Sequence, residues 1–161
     1  MKKLGIMVCL LLSAGIVVAC SLQKTRTDDI PHTDAATLWT YITQTMPYTE
    51  WDRFKGTGEL INAAPPHGPK AKVYANELAK RSQYTANDGS IIVMEDYEEN
   101  GTTLRAVTLM QKRTGYSPEA GDWFWAKFSP DGTVIEEGKI QKCIECHVSM
   151  AFDDYTFIRQ W

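Results

Sequence analysis

This chain of 161 residues contains few cysteines and histidines and has no large excess of either charge. Four cysteines and three histidines are present, and 17 basic residues stand against 20 acidic ones, a formal net charge of −3. No long run of one charge sign occurs, which argues against a nucleic-acid-binding surface. Repeats, heptads, a glycine-rich phosphate loop and βαβ alternation are also missing, which argues against nucleotide binding and doubly wound folds.

The start of the chain has the pattern of an export signal. Lys2 and Lys3 precede an apolar run over residues 4–18, which is shorter than the ~20 residues needed to cross a bilayer. Small residues lead from this run to Cys20, as in a secretory cleavage site. A cysteine in that place resembles a lipobox, which implies lipidation of Cys20.

These features predict three parts of the chain. Residues 1–19 form a signal peptide of the lipoprotein type, residues 20–33 a lipidated polar tether, and residues 34–161 one folded domain. Ser21, rather than an aspartate, follows the lipidated cysteine. We therefore expect a protein held by a lipid anchor at the periplasmic face of a bacterial membrane, the outer membrane rather than the inner.

Only two cysteines remain in the predicted domain, and they form a C-x-x-C-H motif at Cys143, Cys146 and His147. Two thiols on one helical turn can add to the two vinyl groups of one porphyrin. The adjacent imidazole then lies under the iron as its proximal ligand. The motif predicts one covalently attached haem c (heme c), with His147 as the metal ligand.

A C-x-x-C pair has three other common uses: a structural disulfide, a thioredoxin-like redox pair and half of a zinc site. A zinc site needs four nitrogen or sulfur ligands, and the only other histidines are His32 and His67. A redox pair would follow a strand in a βαβ unit, which the region around Ile140 does not supply. Haem attachment is therefore the leading prediction.

The rest of the domain predicts an α+β fold, a mostly antiparallel β-sheet with an N-terminal helix and a C-terminal haem-attachment helix. Asp34 is a predicted N-cap for a helix that Pro47 ends. Apolar runs and turn residues predict the strands. These strands are Ala71 to Ala75, Ser90 to Tyr97, Thr102 to Gln111, and a hairpin of Trp123 to Phe128 with Thr133 to Glu136.

The sequence resembles the cytochrome P-460 family, which includes the cytochromes c′-beta, from about Leu38 to Phe157. The stretches that carry the resemblance are His67-Gly68-Pro69, Lys72 to Asn76, Asp88 to Val93, Gly121 to Lys127, the Cys143 to His147 motif and Asp154-Tyr155. The resemblance implies the α+β fold above, a haem and a homodimer.

The resemblance also implies where the distal side of the haem lies. Catalytic members, which resemble hydroxylamine oxidases, cross-link a lysine to the porphyrin and use a distal glutamate as proton acceptor. Aligned on Asp88-Gly89-Ser90, the lysine corresponds to Met94; counted back from Gly121, the glutamate corresponds to Val107. Without that base, proton removal from hydroxylamine is not expected. We instead expect an apolar distal wall and an open sixth position on the iron.

We therefore expect a cytochrome that binds a diatomic gas, NO or CO, and the replaced lysine and glutamate favour a role other than catalysis. One alternative is a periplasmic electron carrier that works with a redox partner protein and has Met94 or Met110 as sixth ligand. Another is an enzyme that oxidises hydroxylamine or NO. Tyr74 and His67 could also approach the haem, although a loop histidine is more often solvated.

Overall fold

The computed structural model describes residues 30–54, 57, 59–82 and 84–157. The first element is helix α1, Ala35–Thr40, which continues as a π-helical segment, Tyr41–Thr45. As predicted, Asp34 is the N-cap, and its side chain accepts a hydrogen bond from the Thr37 amide at 2.8 Å. A short 3₁₀ turn, Tyr48–Glu50, follows Pro47.

Six strands form one antiparallel sheet in which each strand pairs with its neighbours along the chain. They are β1 Ile61–Asn62, β2 Lys70–Ala75, β3 Ile91–Tyr97, β4 Leu104–Lys112, β5 Trp123–Phe128 and β6 Val134–Gly138. The predicted α+β fold is confirmed. Strand β1 and a short helix α2, Glu77–Arg81, were not predicted, because two residues of strand and five of helix are too short to show a periodic pattern.

The sheet separates two apolar clusters because successive strand residues point to opposite faces. On the back face, α1 places Leu38 and Ile42 against Val93, Val107 and Phe128, all fully buried. The front face carries the other cluster, which includes Val73, Ile92, Met110, Trp123 and Trp125. Helix α3, Gln141–His147, adds side chains to this front cluster.

The predicted tether ends earlier than expected. Ile30 packs against the back-face cluster, the Pro31 carbonyl accepts a hydrogen bond from Gln111 at 3.1 Å, and the Thr33 carbonyl accepts one from Arg113 at 2.6 Å. These contacts dock residues 30–33 on the sheet. They also give the buried side chains of Gln111 and Arg113 backbone acceptors, which buried polar groups need. Cys20 and the predicted signal peptide lie outside the described residues, and no described helix is both long and apolar enough to span a membrane.

Candidate haem site

The C-x-x-C-H motif occupies helix α3, which follows β6 after a two-residue connection. Cys143 and Cys146 are three positions apart and therefore lie on one side of the helix, one turn from each other. No disulfide joins them. Both sulfur-bearing side chains and His147 line the same cavity, which is the arrangement that attachment of one porphyrin requires.

The His147 ring is fixed by a hydrogen bond to the backbone. Its Nδ1 lies 2.6 Å from the carbonyl oxygen of Tyr155. A carbonyl only accepts, so Nδ1 carries the proton and Nε2 keeps its lone pair, as in histidines that ligate metals. Burial lowers the pKa of His147, which further favours the neutral ring that a metal needs. Trp125 and Phe157 contact the ring, with centroids at 4.6 and 5.0 Å.

A buried ion pair holds the turn that supplies this carbonyl. Residues 148–153 form a 3₁₀ segment, after which Asp154 and Tyr155 adopt positive φ angles of 51° and 63°. Non-glycine residues rarely adopt this conformation unless their surroundings impose it. The Asp154 carboxylate accepts hydrogen bonds from Lys112 Nζ and the Ala86 amide, each at 2.6 Å, and its carbonyl accepts one from Trp123 Nε1 at 2.9 Å.

Sequence reasoning did not assign this role to Lys112, whose partner is 42 residues away in the chain. Lys112 and Asp154 are both nearly buried, with 8% of each side chain exposed. The only available sequence signal was the Asp154-Tyr155 pair close behind the haem motif. We conclude that β4, through Lys112, helps to orient the His147 ring on α3.

The cavity beside His147 has a volume of about 350 Å³. It lies between α3, the front face of the sheet and the segment 61–67 that leads from β1 toward β2. Most of its wall is apolar, and the principal lining side chains are Ile61, Pro65, Pro66, Ile92, Met94, Met110, Trp125, Ile140 and Phe157. Glu136 and Lys142 lie on its rim and pair with each other.

Of the two predicted distal residues, the structure brings Met94 to the cavity and not Val107. Met94 lines the wall, whereas Val107 is fully buried in the back-face cluster under α1. The prediction for Val107 was wrong because a shift of one residue in a strand sends the side chain to the other face. The cavity-facing residue is Thr108, which pairs with Met94 on β3 and lines the cavity. It is not a carboxylate either.

Glu95 is the acidic residue next to Met94, and the structure places it on the back face, as strand alternation predicts. It accepts hydrogen bonds from the hydroxyls of Tyr48 at 2.9 Å, Tyr74 at 3.2 Å and Tyr97 at 2.7 Å. Tyr74, which was considered a residue that could approach the haem, therefore belongs to this back-face group. Glu95 does not supply a base to the cavity.

The wall also contains polar groups, contrary to the expectation of a wholly apolar distal side. His67 and Thr108 line the cavity. Trp125 is 5% exposed, and its Nε1–H has no acceptor among the residues that the structure describes. A buried N–H without an acceptor costs about 1–3 kcal/mol. The cavity therefore fits a large, mainly apolar group with an acceptor at its edge, and a haem with its propionates meets both conditions.

The alternatives for the cysteine pair find less support in this geometry. Among the described residues, no set of three or more His, Cys, Asp and Glu side chains is arranged to hold a metal ion by itself. Burial raises the pKa of the Cys143 thiol to about 11, whereas redox-active pairs need a lowered thiol pKa. The zinc and thioredoxin-like interpretations are therefore disfavoured.

Fold and site together define a class of protein: an antiparallel sheet that carries a haem-binding motif on a C-terminal helix. The sequence model of one family, cytochrome P460, matches residues 46–158, well over half of the chain. The chain belongs to the cytochrome P460 family. This membership makes it a haem protein and supports the c-type assignment. A comparison with curated proteins found no match.

Proposed function

We propose that this protein carries one haem c, attached through Cys143 and Cys146 and ligated by His147, and that it binds a diatomic gas on the opposite side of the iron. The observation that carries the proposal is the 2.6 Å contact between His147 Nδ1 and the Tyr155 carbonyl. It leaves Nε2 as the ligating atom of a ring that lines the cavity. Covalent attachment retains the cofactor, and iron held by one histidine is typical of gas-binding haem proteins.

The two paired strand positions that face the cavity carry no proton acceptor. The two strand positions next to each other on the front face, Met94 and Thr108, hold neither the lysine nor the carboxylate that the catalytic members of the family use. Neither side chain can act as a proton acceptor near neutral pH. Apolar neighbours such as Ile92 and Met110 would accommodate NO or CO without such a group.

The experiment is a set of optical and EPR spectra of the purified ferric and ferrous protein, before and after addition of NO or CO. Gas binding predicts new absorption bands with each gas and saturable titration curves. Spectra that remain unchanged at saturating gas would refute gas binding while leaving haem attachment intact.

Electron transfer is the second candidate, and one observation favours it. Met94 and Met110 both line the cavity, and a thioether ligand would close the sixth position and raise the reduction potential. This candidate predicts a methionine-to-iron charge-transfer band that is lost in Met94→Leu or Met110→Leu. It also predicts no response to CO.

Export, lipidation of Cys20 and a homodimer remain proposals that are tested apart from the haem. Lipidation predicts a mature chain that starts at Cys20, carries added acyl mass and partitions with membranes. A Cys20→Ala variant should lose the acyl mass. Sedimentation of a chain that lacks the lipid tests the dimer, which should dissociate only on dilution.

A further inference from the structure

His67 lies in the segment between β1 and β2, and this segment is seated against β3. Its amide donates to the Ala64 carbonyl at 3.0 Å. Gly68 follows, and a Cβ at this position would lie only 2.3 Å from the Tyr97 carbonyl oxygen, so a side chain here would push the segment away from the sheet. The close approach carries His67 over the front face, where it lines the cavity.

A buried carboxylate orients the His67 ring. Nδ1 lies 3.1 Å from Asp96 Oδ1, and Thr108 Oγ1 lies 3.4 Å from the same nitrogen. Asp96 is 1% exposed, and its second oxygen has no partner among the described residues. A carboxylate can only accept, so Nδ1 carries a proton, and Nε2 is the nitrogen through which the neutral ring can bind a metal. This is the carboxylate–histidine arrangement found behind metal-ligating imidazoles.

His67 and His147 lie close together in the lining of the same cavity. Their ring centroids are 6.5 Å apart and their planes make an angle of 73°. Two imidazoles that share one metal ion have centroids about 6 Å apart, since each metal–nitrogen bond is about 2 Å long. Each ring has Nδ1 occupied by a backbone or side-chain oxygen, 2.6 Å away for His147 and 3.1 Å for His67. Each therefore has Nε2 available.

We propose that His67 is the second axial ligand of the haem iron in the resting protein, opposite His147. The proposal rests on the haem attachment proposed above and revises the open sixth position that the sequence suggested. Asp96 is a positioning residue for this ligand. A gas must then displace His67, so the rate of its dissociation from the iron limits gas binding.

The test uses the holoprotein with covalent haem confirmed by mass spectrometry. Wild-type ferric protein should give the EPR and optical spectra of low-spin iron with two histidine ligands. His67→Ala should convert the iron to high spin, and added imidazole should restore the low-spin spectrum. His32→Ala is the matched control, because His32 is 40% exposed and pairs with Asp88 outside the cavity, and it should leave the spectrum unchanged.

Carbon monoxide binding gives an independent readout. Stopped-flow mixing of the ferrous protein should show a rate that levels off with CO concentration in the wild type. In His67→Ala the rate should rise linearly and be at least about tenfold faster. Asp96→Asn should weaken the bond of His67 to the iron by about 10–100-fold, the usual effect of losing an outer partner, and should shift the reduction potential.

Two results would overturn the proposal: a high-spin wild-type ferric spectrum, or a low-spin spectrum that survives in His67→Ala. A charge-transfer band lost only in Met94→Leu would also overturn it in favour of a thioether ligand. These failures are distinct from failure of the haem assignment, which would appear as a chain without covalent haem mass.

Discussion

The two faces of the sheet use alternate residues of the same strands in different ways. On the back face, Glu95 accepts three tyrosine hydroxyls and α1 closes over fully buried side chains. On the front face, the indole N–H of Trp125 and one oxygen of Asp96 are buried and have no partner within the described part of the chain, beside a cavity of about 350 Å³. The back face is filled by the chain's own side chains, whereas the front face leaves a cavity beside the haem-attachment motif.

The largest expected effect is the loss of covalent haem from the front face when the motif cysteines are replaced. Replacing both motif cysteines, Cys143→Ala with Cys146→Ala, should abolish covalent haem because it removes both cysteines that line the cavity. Intact mass spectrometry after acid extraction measures it. Glu145→Gln, an exposed change within the same motif, is the control and should keep the haem. Covalent haem in the double variant would refute the assignment.

The next effect tests the ion pair that joins β4 to the haem turn. Lys112→Met leaves the buried Asp154 carboxylate without its cation, which should lower the free energy of unfolding by about 3–5 kcal/mol. Asp154 precedes Tyr155, whose carbonyl holds the His147 ring, so the reduction potential of the haem should shift as well. Denaturant unfolding and potentiometry measure the two quantities.

Lys139→Met is the matched control, since Lys139 pairs with Glu119 at the surface, with 48% and 67% of the two side chains exposed. It should change stability by no more than about 1 kcal/mol. Equal losses in Lys112→Met and Lys139→Met would show that the buried pair does not hold the turn.

A third prediction compares the two faces directly. Leu38→Ala removes a fully buried back-face side chain and should cost about 3 kcal/mol, because the packed surroundings cannot close the void. Met94→Ala enlarges a cavity wall that is already open, so in the protein without haem it should cost much less. Urea unfolding of both variants decides the matter; a larger loss in Met94→Ala would mean that the front face is packed as tightly as the back.

The smallest effect concerns the tyrosines around Glu95. Burial, and next the Glu95 carboxylate, raise the pKa values of Tyr48 and Tyr74 above the ordinary 10.0. The unfolded chain therefore loses these protons first as the pH rises past 10, so stability that is full below that pH falls above it. Unfolding monitored by tyrosinate absorbance between neutral and strongly alkaline pH should show this loss.

Tyr48→Phe should make the alkaline loss shallower and cost about 1 kcal/mol at neutral pH. Tyr84→Phe, at a side chain 82% exposed, is the comparison and should not change the stability measurably. A Tyr48→Phe profile that matches the wild type above pH 10 would show that the cluster does not couple to folding.

Features that depend on neighbouring residues could be predicted from the sequence. The spacing of Cys143, Cys146 and His147 specifies haem chemistry because all three lie within two helical turns. The Asp34 N-cap and strands β2 to β6 were predicted to within two residues at each end, because alternation and turn residues act over short stretches. Family membership followed from the same local patterns, and the profile match confirmed it.

Tertiary structure decided everything that needed residues distant in the chain to meet. Val107 and Thr108 are adjacent, and only the pairing of β3 with β4 shows that Thr108 shares the cavity face with Met94. A loop histidine is ordinarily solvated, yet the approach of Gly68 to β3 brings His67 to Asp96, 29 residues away, with its ring centroid 6.5 Å from that of His147. The two faces of a strand are exchanged by a slip of one residue, so the face of Thr108 and the seating of His67 become certain only when the residues that pack against them are known.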